Sequence, residues 1–232
     1  EFRRVLFRSM FQVMRLKEED EVTLVFDDGI KRLARVVNVE ARQLELVEEL
    51  ADNVELPVQV TIASGFPKGD KLEFITQKVT ELGASQIWAF PADWSVAKWD
   101  GKKLGKKVEK LEKIALGAAE QSKRNLVPSI ILFEKKADFL AQLEQFDRIV
   151  VAYEESAKEG EATALLQSLT GLEAGSKLLF IFGPEGGLSP AEIESFTAKG
   201  AVLAGLGPRI LRAETAPLYA LSAVSVVTEL MN

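Results

Sequence analysis

Three segments with residue types suited to chemistry each follow an apolar stretch of the sequence. The first is Gly-Pro-Glu-Gly-Gly at 183–187, directly after Phe-Ile-Phe at 180–182. Its glycines would let the backbone lie close to a ligand. Ser189, Pro190 and Glu192 then stand in the order that begins a helix, and a helix N-terminus favours a carboxylate or phosphate. An ordinary strand-to-helix turn has the same composition, so this segment alone leaves both interpretations open.

The second segment is GLGPRILRAETA at 205–216, which again follows an apolar stretch. It is not a dinucleotide fingerprint, because Ile210 stands where a third glycine is needed, and the chain has no Gly-Lys-Ser/Thr phosphate loop. Arg209 and Arg212 either face a ligand or form surface salt bridges. The third segment, Tyr-Glu-Glu at 153–155, is weak by itself and gains value only as a third strand end.

Two residue types that often do chemistry are absent from all 232 residues. Without Cys there is no disulfide, thiolate–zinc site or cysteine nucleophile, and without His there is no Ser-His-Asp triad or histidine base. Acid–base chemistry must then come from Asp, Glu, Lys, Tyr or the substrate, and we expect no metal. No apolar run approaches the roughly 20 residues that cross a bilayer and no signal pattern is seen, so we expect a cytoplasmic protein with no membrane partner.

The chain has a net charge of −6 but contains one strongly basic stretch. Residues 98–124 contain nine basic and four acidic side chains, which leaves +5 on this stretch. A solvated helix face and a phosphate-contacting surface are equally good interpretations of it.

The elements that must position these segments follow from the hydrophobic pattern. Residues 10–56 alternate around an Asp27-Asp28-Gly29 turn, which predicts a small β domain with a hairpin and a third strand near 44–47. Residues 57–232 alternate strands with helices, which predicts a parallel sheet with helices on both faces. Its strands are predicted near 58–62, 86–90, 130–133, 148–153, 178–182 and 201–206, and its longest helix near 102–122. Residues 1–9 fit neither pattern, and we interpret them as an artefact segment.

Together these residues resemble a known family, the RsmE-type ribosomal RNA methyltransferases of the SPOUT superfamily. GPEGG-L-S after an apolar strand is followed about twenty residues later by LGPRILRAETA, and KLEFITQKVTELG at 71–83 and AAEQSKRNLVP at 118–128 also agree. Tyr153-Glu154 stands where the family has a loop beside S-adenosylmethionine. VMRLK at 13–17 looks like part of a PUA-like RNA-binding domain. The likeness covers nearly everything after Met10.

The resemblance implies a trefoil-knotted α/β methyltransferase domain after a small PUA-like β-barrel. It implies a homodimer that uses S-adenosylmethionine to methylate N3 of a uridine in small-subunit (16S) ribosomal RNA, as free RNA or within the small ribosomal subunit. Family members carry another strand and a His-containing segment before the position of Phe11. We therefore expect the β domain to be truncated at its start and its RNA docking to be altered.

Methyl transfer to uridine N3 requires that the proton leave or that the developing anion be stabilised. We expect Arg212 with Arg124 to place positive charge beside the uracil carbonyls, and Glu185 or Glu214 to accept the proton or to orient an arginine. The residues expected to hold the cofactor are Tyr153, Glu154, Phe182, Gly183, Pro184, Glu185, Gly186, Gly187, Leu206, Gly207, Arg209, Ile210, Leu211 and Thr215. The residues expected to contact RNA are Arg15, Lys17, Lys78, Lys103, Lys107 and Arg124.

Two other functions stay open at the level of the sequence. One is a catalytically silent RNA-binding relative with the same fold. The other is a dinucleotide-dependent oxidoreductase, which the missing GxGxxG and its acidic ribose ligand disfavour.

Overall fold

The computed structural model describes residue 11 and residues 15–26, 28–153 and 163–231. The chain divides between Glu55 and Leu56 into two compact units. Residues 1–9, residues 13 and 14, Asp27 and Glu154 lie outside the described residues, so the sequence-based interpretations that concern them stay predictions.

The first unit contains a three-stranded antiparallel sheet. Its strands are β1 (Glu21–Val25), β2 (Lys31–Asn38) and β3 (Gln43–Leu50), and they lie in that order. Val22 and Leu24 alternate inward and pack with Ala34, as the period of two predicts. The third strand is longer than predicted because pairing with β2, not burial, holds its mostly exposed residues in place.

The second unit is a six-stranded, all-parallel sheet with the order β6-β5-β4-β8-β7-β9. Its strands are β4 (Gln59–Gly65), β5 (Gln86–Phe90), β6 (Ser129–Leu132), β7 (Arg148–Ala152), β8 (Lys177–Phe182) and β9 (Val202–Ala204). Its helices are α1 (Lys71–Glu81), α2 (Gly101–Gln121), α3 (Lys136–Ala141), α4 (Ala164–Leu169), α5 (Pro190–Thr197) and α6 (Ala216–Ser225). A 3₁₀ turn (Leu143–Gln145) follows α3, and a π-helical turn (Val226–Leu230) follows α6. The predicted α/β architecture is confirmed.

Helices cover both faces of this sheet. Ile62 of β4 and Phe180 of β8 belong to one apolar core, shared with α1, α2, α4 and α6. Their neighbours Ala63 and Ile181 belong to a second core, shared with α3 and α5. Because both faces are buried, the strands read as continuous apolar runs. None of the helices in the described ranges has the length and apolar character that a membrane span requires.

Parallel pairing brings the ends of four strands to one edge of the sheet. Ser64 of β4 is level with Phe182 of β8, Val151 of β7 with Ile181, and Ala152 with Ala204 of β9. The three segments singled out in the sequence therefore begin at this edge, where ligands bind in open α/β sheets.

Candidate functional site

The glycine-rich turn after β8 is so tight that backbone fills the space of a side chain. A Cβ added to Gly183 would lie 2.7 Å from the carbonyl carbon of Gly187. Gly187 has a φ of +80°, and its N–H donates to the Pro184 carbonyl at 2.8 Å. This conformation brings bare backbone to the edge of the sheet, which is what close contact with a ligand requires.

The start of α5, which follows that turn, is fastened by a network of polar side chains. Ser189 and Glu192 form the predicted capping box, with Pro190 in the first turn. The Ser189 hydroxyl also donates to Asp93 at 2.5 Å, and Glu192 accepts from the Asp93 N–H at 2.9 Å. Lys136 forms ion pairs with both Asp93 and Glu192. Since Asp93 follows β5 and Lys136 begins α3, the network ties three elements together.

A second cluster joins the two predicted cofactor segments. The Lys71 ammonium lies 3.0 Å from Glu185 Oε1 and 3.0 Å from Glu214 Oε2, and Glu185 also accepts from the Lys68 N–H at 3.1 Å. Glu185 belongs to the turn after β8, whereas Glu214 belongs to the segment after β9. A single side chain at the start of α1 therefore contacts both segments.

These contacts shift the pKa values of all three groups. Hydrogen bonds to Glu185 and then Glu214 raise the pKa of Lys71. Burial opposes the charged form of Glu185, but its own backbone N–H and Lys71 hold its pKa below the ordinary value. Burial, the backbone N–H and Lys71 act in the same way on Glu214, so its pKa is also lowered. Both carboxylates are therefore held ionised and are weak proton acceptors.

A small cleft of about 110 Å³ lies at the ends of β7 and β9. Its lining comprises Ala152, Tyr153, Leu206, Gly207, Arg209, Ile210, Leu211 and Ala216. Six of these were predicted to hold the cofactor, while Ala152 and Ala216 carry no sequence signal beyond being small and apolar. The volume is below the 300–1,000 Å³ typical of small-molecule sites, so the cleft suits part of a ligand, such as a nucleoside.

The other residues predicted to hold the cofactor lie beside this cleft rather than in its lining. Phe182 and Pro184 are buried below the glycine turn. Thr215 is exposed and its N–H donates to the Arg212 carbonyl at 2.9 Å. Arg212 has a side chain that is 83% exposed, with Nη1 4.0 Å from Glu214 Oε1. The structure thus brings Arg212, Glu214, Glu185 and Lys71 into one chain of contacts.

Arg124 occupies a different position from the one expected. It is 5% exposed, and its Nη1 donates to the carbonyls of Ala84 at 2.7 Å and Thr80 at 3.1 Å. These carbonyls lie at the C-terminal end of α1, where a cation satisfies groups that the helix leaves unbonded. The role in catalysis and RNA binding expected of Arg124 therefore finds no support in this placement, which is structural.

The residues predicted to contact RNA differ in how available they are. Arg15, Lys17 and Lys103 are exposed. Lys78 pairs with Glu81 at 2.8 Å on α1. Lys107 pairs with Glu73 at 3.2 Å, and its ammonium lies 4.6 Å from the centre of the Trp99 ring. Lys107 is therefore already engaged within the fold.

Sequence reasoning missed several residues that shape this edge. Lys71, Asp93 and Lys136 read as ordinary surface charges, and their partners are distant in sequence, so no local spacing could reveal them. Trp94 is 49% exposed and covers the glycine turn: a Cβ added to Gly186 would lie 3.1 Å from Trp94 Cβ. Within the part of the chain that the structure describes, no group of acidic side chains is placed to hold a metal ion.

Comparison with protein families places the chain in a class, the RNA methyltransferases. The family model described as "RNA methyltransferase domain" matches residues 54–225, and one described as "RNA methyltransferase PUA domain" matches residues 10–49. Ribosomal RNA small subunit methyltransferase E of Bacillus subtilis (strain 168) is 49% identical over 222 residues, which cover 95% of this chain and 87% of that protein. The chain therefore belongs to the ribosomal RNA small subunit methyltransferase E family.

Solved structures agree with this assignment. A crystal structure described as a hypothetical protein has a TM-score of 0.88 at 44% identity, covering 97% of this chain and 90% of that one. Ribosomal RNA small subunit methyltransferase E from Neisseria gonorrhoeae, solved bound to S-adenosyl methionine, has a TM-score of 0.78 at 26% identity. That alignment covers 96% of this chain and 89% of the other. The dinucleotide-dependent oxidoreductase alternative is left without support.

Proposed function

We propose that this chain transfers the methyl group of S-adenosylmethionine to N3 of a uridine in small-subunit ribosomal RNA. The observation that carries the proposal is the junction at the sheet edge, where Lys71 joins the glycine turn after β8 to the segment that lines the cleft. Family membership supports the reaction class, and the S-adenosyl methionine in the Neisseria gonorrhoeae structure supports the cofactor. Position N3 of uridine rests on the family resemblance.

The residues at the edge fit this cofactor. Leu206, Ile210 and Leu211 offer apolar surface, and Gly207 has a φ of +88° that leaves backbone bare beside the cleft. Apolar walls and carbonyl groups suit a sulfonium whose positive charge disappears in the transition state. When bound, S-adenosylmethionine supplies an electrophilic methyl group, and the protein must orient it in line with the base. Tyr153, Leu206, Gly207, Arg209, Ile210 and Leu211 would hold it here, with Phe182, Gly183, Pro184, Gly186, Gly187 and Thr215 in support.

Arg212 is the side chain best placed to stabilise charge on the base. Arg212 follows the cleft segment (206–211), its side chain is 83% exposed, and its Nη1 lies 4.0 Å from the more shielded Glu214. A cation beside the uracil carbonyls would favour the anion that forms as the N3 proton leaves. Because their pKa values are lowered, Glu185 and Glu214 suit the role of orienting cations better than that of accepting this proton.

RNA binding and assembly complete the proposal. Arg15, Lys17 and Lys103 are exposed cations suited to phosphate contacts. We place the reaction in the cytoplasm because ribosomal RNA is the substrate. The trefoil knot and the homodimer also belong to the proposal. The exposed apolar side chains of Leu230 and Met231, 75% and 73% exposed, are suited to burial against a second copy.

The decisive experiment maps modified nucleosides. Small ribosomal subunits and free small-subunit RNA, both lacking the modification, are incubated with the chain and S-adenosylmethionine bearing a deuterated methyl group, then digested for mass spectrometry. We expect deuterated 3-methyluridine at one position, and no label when the chain is omitted. Label on another base would refute the N3 assignment. RNA binding without any label would favour the catalytically silent relative.

A further inference from the structure

Lys71 stands in an unusual place for a cation. It is the first residue of α1, where the helix dipole disfavours positive charge, and the preceding Asp70 makes no side-chain cap. Two carboxylates at 3.0 Å compensate for this cost. All three side chains are largely shielded, with exposures of 29% for Lys71, 25% for Glu185 and 18% for Glu214. This shielding distinguishes the cluster from a surface salt bridge, which contributes little.

The segment before Lys71 also packs on the glycine turn. A Cβ on Gly65 would lie 2.6 Å from Pro184 Cδ, and the Lys68 N–H donates to Glu185. The β4–α1 connection thus contacts the glycine turn at Pro184 and Glu185. The segment after β9 contacts the same connection through Lys71 and Glu214.

We infer that Lys71 is a positioning residue for methyl transfer. It holds the glycine turn and the cleft segment at a fixed distance from each other, so that both can contact one cofactor. The inference rests on the proposed function and deepens it. Glu214 in turn lies 4.0 Å from Arg212, so the cluster extends to the exposed cation proposed to act on the base. Lys71 is not one of the residues that line the cleft, so its expected role is to position other groups.

The test compares Lys71→Met with Lys71→Arg, and uses Lys199→Met as the control. Lys199 pairs with Glu144 at 2.6 Å, outside the Lys71–Glu185–Glu214 cluster, and it has no part in the proposed site. We expect Lys71→Met to bind S-adenosylmethionine about tenfold more weakly and to lower kcat about tenfold to a hundredfold, because small misplacements are costly in transfer reactions. Lys71→Arg should restore part of both, because arginine can also bridge two carboxylates. Lys199→Met should match the wild type.

Two results would overturn the inference. One is wild-type cofactor affinity and kcat in Lys71→Met. The other is a loss that arginine does not rescue and that follows the fraction of unfolded protein, which would make Lys71 merely structural.

Hydrogen exchange separates this inference from the proposed function. In the ligand-free protein, Lys71→Met should speed amide exchange in both 183–188 and 206–215, while exchange in β5 and β6 stays unchanged. Unchanged exchange in the two segments refutes the inference that Lys71 links them, even if methylation is found. Faster exchange in a protein that methylates no RNA refutes the proposed function but supports the link that Lys71 makes between the two segments.

Discussion

Gly183 shows how a single position controls the shape of the site. The nearest atoms to an added Cβ are all backbone atoms of Gly187 and Leu188, at 2.7–3.0 Å, and backbone cannot move aside as a flexible side chain can. The turn therefore exists in this form only because residue 183 has no side chain.

Gly183→Ala should open the glycine turn. We expect S-adenosylmethionine binding to weaken at least about tenfold and stability to fall by about 1–3 kcal/mol, since added volume must displace backbone. Titration calorimetry and urea unfolding measure the two effects. Gly105→Ala is the matched control, because nothing lies within 4 Å of its Cβ on α2, and it should stabilise the helix by about 0.5–1 kcal/mol. Unaltered cofactor binding by Gly183→Ala would contradict the tight-turn argument.

Substitution of Arg212 should lower the rate of methyl transfer without weakening cofactor binding. Its side chain is 83% exposed and does not hold the fold, so Arg212→Ala should leave unfolding and cofactor affinity unchanged. We expect kcat for RNA methylation to fall about a hundredfold, the scale of losing one charge-stabilising donor. Single-turnover rates with saturating cofactor measure this step. A wild-type rate would remove Arg212 from the mechanism.

At the scale of elements, α5 and the turn before it depend on a network that crosses the sheet edge. Glu192 has a side chain only 1% exposed, and it accepts hydrogen bonds from the N–H groups of Ser189 and Asp93 while pairing with Lys136. A buried carboxylate without its cation is costly, so the network should act as one unit.

Lys136→Met should leave the Glu192 carboxylate buried without its ammonium partner. We expect the free energy of unfolding to drop by about 1–3 kcal/mol, less than for a fully buried pair because Lys136 is 29% exposed. Lys199→Met removes an exposed ion pair and should cost below about 1 kcal/mol. Urea unfolding of the two variants gives the comparison, and equal losses would show that the network adds nothing beyond a surface pair.

Asp93 makes the same network sensitive to acid. Hydrogen bonds from Lys136 and then Ser189 hold the pKa of Asp93 below its usual 3.8. A lowered native pKa contributes stability that is present above the ordinary value and is lost as the pH falls through the native one. The wild type should therefore lose more unfolding free energy than Asp93→Asn between about pH 5 and pH 3. Parallel curves in urea titrations across this range would argue against the shift.

Elements were predictable from sequence where one local pattern decided them. Short apolar runs between stretches with helical spacing located every described strand of the parallel sheet, and the capping box at Ser189 was visible from three residues. The contacts of Lys71 and Lys136 were not predictable, because each joins segments that are distant in the chain. The burial of Arg124 was not predictable, because a charged residue in a basic stretch has no local sign that carbonyls at the C-terminal end of α1 will bind it.

At the scale of the whole molecule, the negative net charge conceals a local positively charged surface. The chain carries −6, yet its longest helix, α2, displays exposed lysines at 102, 103 and 106. A local basic surface attracts phosphates regardless of the net charge. Lys107 differs from these neighbours, because Glu73 and Trp99 engage its ammonium, and it is a poorer candidate for RNA contact than its spacing indicates.

Reversing Lys103 and Lys106 to Glu should therefore weaken RNA binding and flatten its dependence on salt. Each phosphate contact releases counterions, so losing two contacts should reduce the slope of log K against log salt by about 1.4–1.8. The control reverses Lys177 and Lys199, which changes the net charge equally but lies toward the amino ends of the strands, opposite the proposed site. Filter binding of a small-subunit RNA fragment at several salt concentrations measures both slopes. If the two double variants lose slope equally, the effect comes from net charge, and α2 is not the surface that meets the RNA backbone.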